Sequence, residues 1–261
     1  MKMPALFIGH GSPMNIIEEN NYTHSLVQLA KKLPKPTAIL VISAHWQTRN
    51  TYITASALPP TIYDFYGFPK ELYQASYPCP GSVKIAKRVQ ELMQGEVSGD
   101  PDRGIDHAGW AVLKHMYPHA DIPTLQLSLD IKKSPQEHYE LGKKLARLRE
   151  EGVLIIGSGN IVHNLSQLDF SSLDSTNVYP WAANFDQTIA ELLVARNHES
   201  LIDYEKLPYA KIALPTDEHY LPMLYIIAMQ EENEKLLFFC TDIQNGSIAM
   251  RSFMVFDELV N

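Results

Sequence analysis

The sequence predicts an α/β fold: one three-layer domain whose central sheet, mostly parallel but mixed, is flanked by helices. Three observations lead there. Short, almost wholly apolar runs recur at Ala5-Leu6-Phe7-Ile8, Ala38-Ile39-Leu40-Val41-Ile42, Val153-Leu154-Ile155-Ile156 and Leu236-Leu237-Phe238-Phe239. Continuous hydrophobicity of this length marks strands covered on both faces. Helical patterns separate these runs, and strands alternating with helices build layered α/β architectures. No repeat, low-complexity tract or linker interrupts the chain, so residues 1–261 read as a single catalytic domain.

The helices announce themselves by caps and periodicity. Ser134-Pro135-Gln136-Glu137 supplies a capping residue, a proline at the first helical position and a glutamate to close the box. Leu141, Leu145 and Leu148 follow as an apolar stripe. Tyr179 to Asn197 and Glu218 to Glu232 read as further helices, and Gly157-Ser158-Gly159-Asn160 as a turn after its strand. Leu236 to Phe256 reads as two strands around Asn245-Gly246, a dipeptide suited to a tight hairpin.

Composition narrows function. The chain has 261 residues, 45% hydrophobic and 20% charged, enough to bury a core without disulfides or structural metal. Twenty-two basic against thirty acidic residues give a charge of −8, which argues against nucleic acid and anionic membrane surfaces as partners. No apolar run approaches the roughly 18 residues of a bilayer span. Met1 to Gly9 lacks the longer apolar core and cleavage site of a signal peptide, and Cys79 and Cys240 form no redox or metal spacing. A cytoplasmic location with reduced thiols is expected. The unusual feature is ten histidines, several beside glycines at strand ends.

Open α/β sheets bind ligands in the crevice outside the carboxyl ends of their strands. His10, His45 and His163 occupy such ends, at Gly9-His10-Gly11-Ser12-Pro13, Ser43-Ala44-His45-Trp46 and just beyond Gly157-Ser158-Gly159-Asn160. Each alone has a plainer account as a loop or core imidazole with one satisfied bond. Together they suggest a metal centre, since neutral imidazole is a common ligand for Zn, Fe and Cu. His219, in Thr216-Asp217-Glu218-His219-Tyr220, extends the set, although Asp217 and Glu218 also suit a helix start. His107, in Asp106-His107-Ala108-Gly109-Trp110, reads as a proton carrier or as a plain cap. His115 and His119 lack the zinc-protease glutamate, and His24, His138 and His198 read as surface residues. Dinucleotide loop, nucleophile elbow and P-loop patterns are missing, and Cys79 between two prolines is a poor nucleophile. From Pro59 to Pro80, Tyr63, Phe65, Tyr66, Phe68, Tyr73 and Tyr77 interleave with prolines. Such a loop either walls a planar substrate or packs on itself.

Six segments taken in order resemble the DODA-type extradiol dioxygenases, a branch of the class III, LigB-like ring-cleaving family. They are Gly9 to Pro13, Ser43 to Trp46, Tyr63-Asp64-Phe65-Tyr66-Gly67-Phe68-Pro69, Asp106 to Trp110, Gly157-Ser158-Gly159-Asn160-Ile161-Val162-His163-Asn164 and Asp217-Glu218-His219-Tyr220. The resemblance implies an oxidoreductase that opens a catechol such as DOPA, by 4,5-cleavage, with both atoms of O2. It implies one divalent ion, Fe(II) for activity with Zn(II) as an alternative occupant, held by His10, His45 and His219 where many relatives use glutamate. It further implies that His163 is the acid/base residue and a candidate fourth ligand. By the same analogy His107 lies near oxygen or substrate and stabilises developing charge, with Tyr66 as a second substrate contact. Two rival readings remain: a zinc-dependent hydrolase on the same scaffold, and a non-enzymatic protein binding metal or aromatics.

Overall fold

The strands come in the order β1 (Ala5–Gly9), β2 (Ala38–Thr48), β3 (Thr51–Thr54), β4 (Val97–Asp100), β5 (Thr124–Asp130), β6 (Val153–Gly159), β7 (Lys235–Cys240), β8 (Ile243–Gln244), β9 (Ile248–Ala249) and β10 (Ser252–Phe256). The computed structural model describes residues 2–169 and 177–257. Eight strands form one sheet in the order β4-β3-β5-β2-β6-β1-β10-β7. Its centre is parallel, β5 with β2, β2 with β6 and β6 with β1, while β10 and β7 join antiparallel at one edge. The mixed sheet is the predicted one.

Successive strand residues point to opposite faces, and the chain fills both. Phe7, Leu40, Ile42, Leu127 and Ile155 pack on one side, against Leu141 and Leu145 of α5 (Pro135–Leu145), Phe185 of α6 (Pro180–Val194) and Leu224 of α9 (Leu221–Ala228). Leu6, Ile8, Val41 and Ile156 pack on the other, against Leu26 of α1 (Asn21–Lys32) and Trp110 of α4 (His107–Met116). The shorter helices α2 (Lys70–Gln74), α3 (Val83–Leu92), α7 (His198–Ile202) and α8 (Ala210–Ala213) complete the layers. The capping box at Ser134 and Glu137 forms as expected, with Pro135 opening α5. No helix among the described residues is long and apolar enough to cross a membrane.

Four expectations are corrected. Gly157-Ser158-Gly159 is the end of β6, not a turn. A Cβ on Gly157 would lie 2.4 Å from the Pro222 carbonyl oxygen, and one on Gly159 2.0 Å from that of His219. The glycines are there because the start of α9 presses its backbone onto the strand. Second, the helix expected from Glu218 begins at Leu221, with His219 in the turn before it. Third, the tail holds four strands: β8 and β9 make the hairpin, with Asn245 and Gly246 at φ 50° and 73°, inside the wider β7–β10 ladder. Fourth, His138 is fully buried, sharing a 2.9 Å hydrogen bond with the Tyr225 hydroxyl.

β2 is irregular where it matters. Ile42 pairs with Leu127 and Gln47 with Leu129, so β2 advances five residues while β5 advances two. The stretch between them, unpaired with β5, carries His45, which therefore sits at a bulge within the strand and not beyond its end.

Candidate metal centre

Five histidines predicted from the sequence meet at the carboxyl ends of β1, β2 and β6. His10 follows β1 directly, its main-chain N–H donating to the Gly159 carbonyl at 3.1 Å. His45 is held by the β2 bulge, where its N–H donates to the Ser43 hydroxyl at 3.1 Å. That hydroxyl in turn donates to Asp106, which is buried and also receives Gln126 and Arg103. His107, next in the chain, opens α4. His219 is fixed by its carbonyl, which accepts the Asn160 N–H at 2.9 Å.

Three imidazoles converge on one point. The Nε2 atoms of His10 and His45 lie 3.2 Å apart, and those of His219 and His45 3.3 Å apart. Each of these rings is backed at Nδ1. The Ser158 hydroxyl, whose own hydrogen goes to the Ala108 carbonyl, accepts from His10 at 3.1 Å. Asp64 lies 3.1 Å from Nδ1 of His45, and Glu218 2.9 Å from Nδ1 of His219. An imidazole that donates from Nδ1 presents a bare lone pair at Nε2. Converging lone pairs repel unless a cation lies between them. Two nitrogens bound about 2.0–2.1 Å from a tetrahedral ion would stand about 3.3 Å apart. The donor set therefore fits a divalent ion, with the supporting acceptors typical of such centres.

His107 and His163 flank this trio. The His107 ring lies 4.2 Å from that of His45, its Nδ1 2.8 Å from an Asp64 oxygen. His163 stacks on His219, with centroids 3.5 Å apart and planes within 9°. Its ring makes no side-chain hydrogen bond among the described residues, and a 230 Å³ cavity opens beside it between Ser166, Pro215 and Glu218. Phe65 meets His107 edge-on at 5.6 Å. The aromatic stretch otherwise packs on itself, Tyr63 and Tyr73 against Phe65, while Tyr66 is 90% exposed and faces solvent.

Burial dominates the electrostatics. It holds His10 and His219 well below the ordinary imidazole value, helped by the neighbouring rings, and lowers His107 too. His45 is also penalised by burial, yet the Asp64 hydrogen bond and the charges of Asp106 and Glu218 raise it overall. Burial takes both His163 and the distant His138 from 6.5 to about 4. Between these values an unfolded chain binds protons that the native one refuses. The contribution of these two groups to the stability of the metal-free protein is therefore fullest above pH 6.5 and falls on acidification, by up to about 1.4 kcal/mol per pH unit for each. Urea midpoints should drop between about pH 7 and pH 5; a constant midpoint would contradict neutral burial of these rings.

Sequence reasoning missed the supporting shell. Asp64, Ser158 and Ser43 lay inside quoted motifs without a role, and Glu218 is partner to the His219 ring. The family model described as the catalytic LigB subunit of aromatic ring-opening dioxygenase matches residues 4–245. The chain belongs to the LigB family. It is 44% identical over 259 residues to the 4,5-DOPA dioxygenase extradiol of Escherichia coli (strain K12), covering 97% of this chain and 95% of that one. The Beta vulgaris protein of the same name is 41% identical over 237 residues, covering 88% and 87%. A solved structure of an uncharacterized Escherichia coli K12 protein superposes with a TM-score of 0.86 at 40% identity, over 98% of this chain and all of that one. This LigB-family protein is thus an extradiol ring-cleaving dioxygenase, and its histidine cluster is a candidate metal centre.

Proposed function

We propose that this chain, acting as one catalytic domain over residues 1–261 in the cytoplasm, opens the ring of a catechol with a side chain, DOPA being the leading candidate for 4,5-cleavage. The Nε2 atoms of His10, His45 and His219 would hold one divalent ion, Fe(II) for turnover and Zn(II) as a competitor for the same imidazoles. When bound, that ion supplies Lewis acidity towards the two diol oxygens and the electrons that activate O2. The observation that carries the reading is the convergence of three imidazoles, each backed at Nδ1, on one point.

The remaining residues orient the reactants and move protons. His163 borders the cavity as a neutral ring at pH 7, so it accepts the second hydroxyl proton and later returns it. Stacking on His219 fixes its distance from the donor trio. That the ring also reaches the ion as a fourth ligand finds less support, because its stacked plane lies parallel to that of a ligand. His107 contacts the reactants from the opposite side, with Phe65 excluding water behind it. Tyr66 would reach substrate only by moving in from solvent.

The test reconstitutes metal-free protein with Fe(II) under nitrogen, adds DOPA or another side-chain catechol, then admits oxygen. Oxygen uptake matched by a yellow product is expected. No uptake with any catechol overturns ring cleavage, and ester or amide turnover of the zinc form under nitrogen would favour the hydrolase reading instead.

A further inference from the structure

Ser158 and Glu218 each back one imidazole, whereas Asp64 backs two. One of its carboxylate oxygens, Oδ2, lies 2.8 Å from Nδ1 of His107 and 3.1 Å from Nδ1 of His45. The other, Oδ1, accepts the main-chain N–H of His107 at 2.9 Å. The loop is pinned just before this carboxylate. Ile62 donates its N–H to the Ile105 carbonyl at 2.8 Å, and its own carbonyl accepts the Trp110 indole N–H at 2.9 Å. Ile62, two residues before Asp64, is thus tied to Ile105 and Trp110 on either side of His107, and Asp64 itself is held by the His107 main chain as well as by the two rings.

A neutral imidazole carries one N–H, and donating it from Nδ1 leaves Nε2 bare. For His45 the bare atom is the one that faces Nε2 of both His10 and His219. For His107 it is the only ring nitrogen left for reactants.

We propose that Asp64 is a positioning residue that fixes His45 and His107 together as Nδ1–H tautomers, so that one carboxylate sets both a cation-facing and a reactant-facing lone pair. This rests on the reading of His45 as ligand and His107 as reactant contact given above. It also revises the part assigned to His107. With its N–H committed to Asp64, that ring accepts a hydrogen from the diol and does not donate one to developing charge.

The experiment uses zinc alone and no catechol. Zinc affinity is measured by competition with a chromophoric chelator for wild type, Asp64→Ala and Asp64→Asn, and the imidazole tautomers of zinc-loaded protein are read from long-range proton–nitrogen correlation spectra. In wild type, His107 is expected to be protonated at Nδ1 and bare at Nε2. Both variants should lose zinc affinity on the order of 10–100-fold, as removal of a supporting partner does. The asparagine variant is decisive: it keeps the volume of Asp64, but its amide N–H groups confront either the rings or the backbone N–H. A space-filling role would be rescued by Asn; the proposed role is not. Asp64→Asn binding zinc within about twofold of wild type, or wild-type spectra with His107 protonated at Nε2, would overturn the proposal. Should the variants fail to fold, the wild-type spectra still decide. A protein that opens no catechol yet shows these tautomers and losses would sustain the role of Asp64 and end the ring-opening reading alone.

Discussion

Replacing His10 by alanine is expected to empty the centre while leaving the fold intact. Losing a supporting hydrogen-bond partner typically costs about 10–100-fold in metal affinity, and His10→Ala removes a donor atom itself, so a loss beyond about 100-fold is expected. Ring cleavage at limiting Fe(II) should fall at least in proportion. The fold should survive because the main chain at residue 10 is anchored by its own bond to Gly159, which no side chain mediates. Relief of the crowded Nε2 atoms, 3.2 Å apart, works in the same direction. His24→Ala, at an exposed position, serves as the control. Metal analysis after gel filtration, with circular dichroism, reads both outcomes. One equivalent of ion retained at wild-type affinity would remove His10 from the ligand set.

The largest effect on stability is expected far from the metal. Arg149 is fully buried, with Nε donating to the Met3 carbonyl at 2.7 Å and Nη1 to the Met229 carbonyl at 2.9 Å. Its guanidinium also grips the buried carboxylate of Glu234 through both terminal nitrogens. It thereby ties the start of β1 to the segment after α9. Burial alone would raise the Glu234 carboxyl; the bonds from Arg149, with help from Lys2, hold it below its ordinary value. Arg149→Met strands that charge with Lys2, 3.2 Å away, as its remaining cation. Breaking a buried pair from one side costs about 3–5 kcal/mol. Urea denaturation should show a loss of that order, and adding Glu234→Leu should restore much of it, because an apolar pair is not penalised as a lone carboxylate is. A loss below about 1 kcal/mol would mean that water or Lys2 already neutralises Glu234.

β5, where Leu125, Leu127 and Leu129 alternate with Gln126 and Ser128, went unread, but β1, β2 and β6 were legible because they are covered on both faces and so read as unbroken apolar runs. β3 and β4 were not: Thr51–Thr54 and Val97–Asp100 are short, mixed in polarity and peripheral in the sheet. The five histidines were legible because each sits beside a glycine turn, a strand end or a helix start. Asp64 was not, since no spacing relates a carboxylate in an aromatic loop to rings at positions 45 and 107. His138 was misjudged although the signal existed. It lies three residues before Leu141 and seven before Leu145, on the stripe that α5 turns inward. The glycines of β6 misled for a physical reason: glycine more often punctuates a chain than makes room for another backbone.

The irregular stretch of β2 has a consequence for how this chain tolerates changes in length. Between Ile42 and Gln47 the strand carries more backbone than its neighbour uses, and the surplus holds residue 45 up to its companions. Removing a single amino acid there would leave the flanking pairs able to form, yet would swing the imidazole toward the opposite layer. Insertions and deletions should therefore be accepted at the Asn50 corner, where the backbone already turns through positive φ, and refused a few positions earlier.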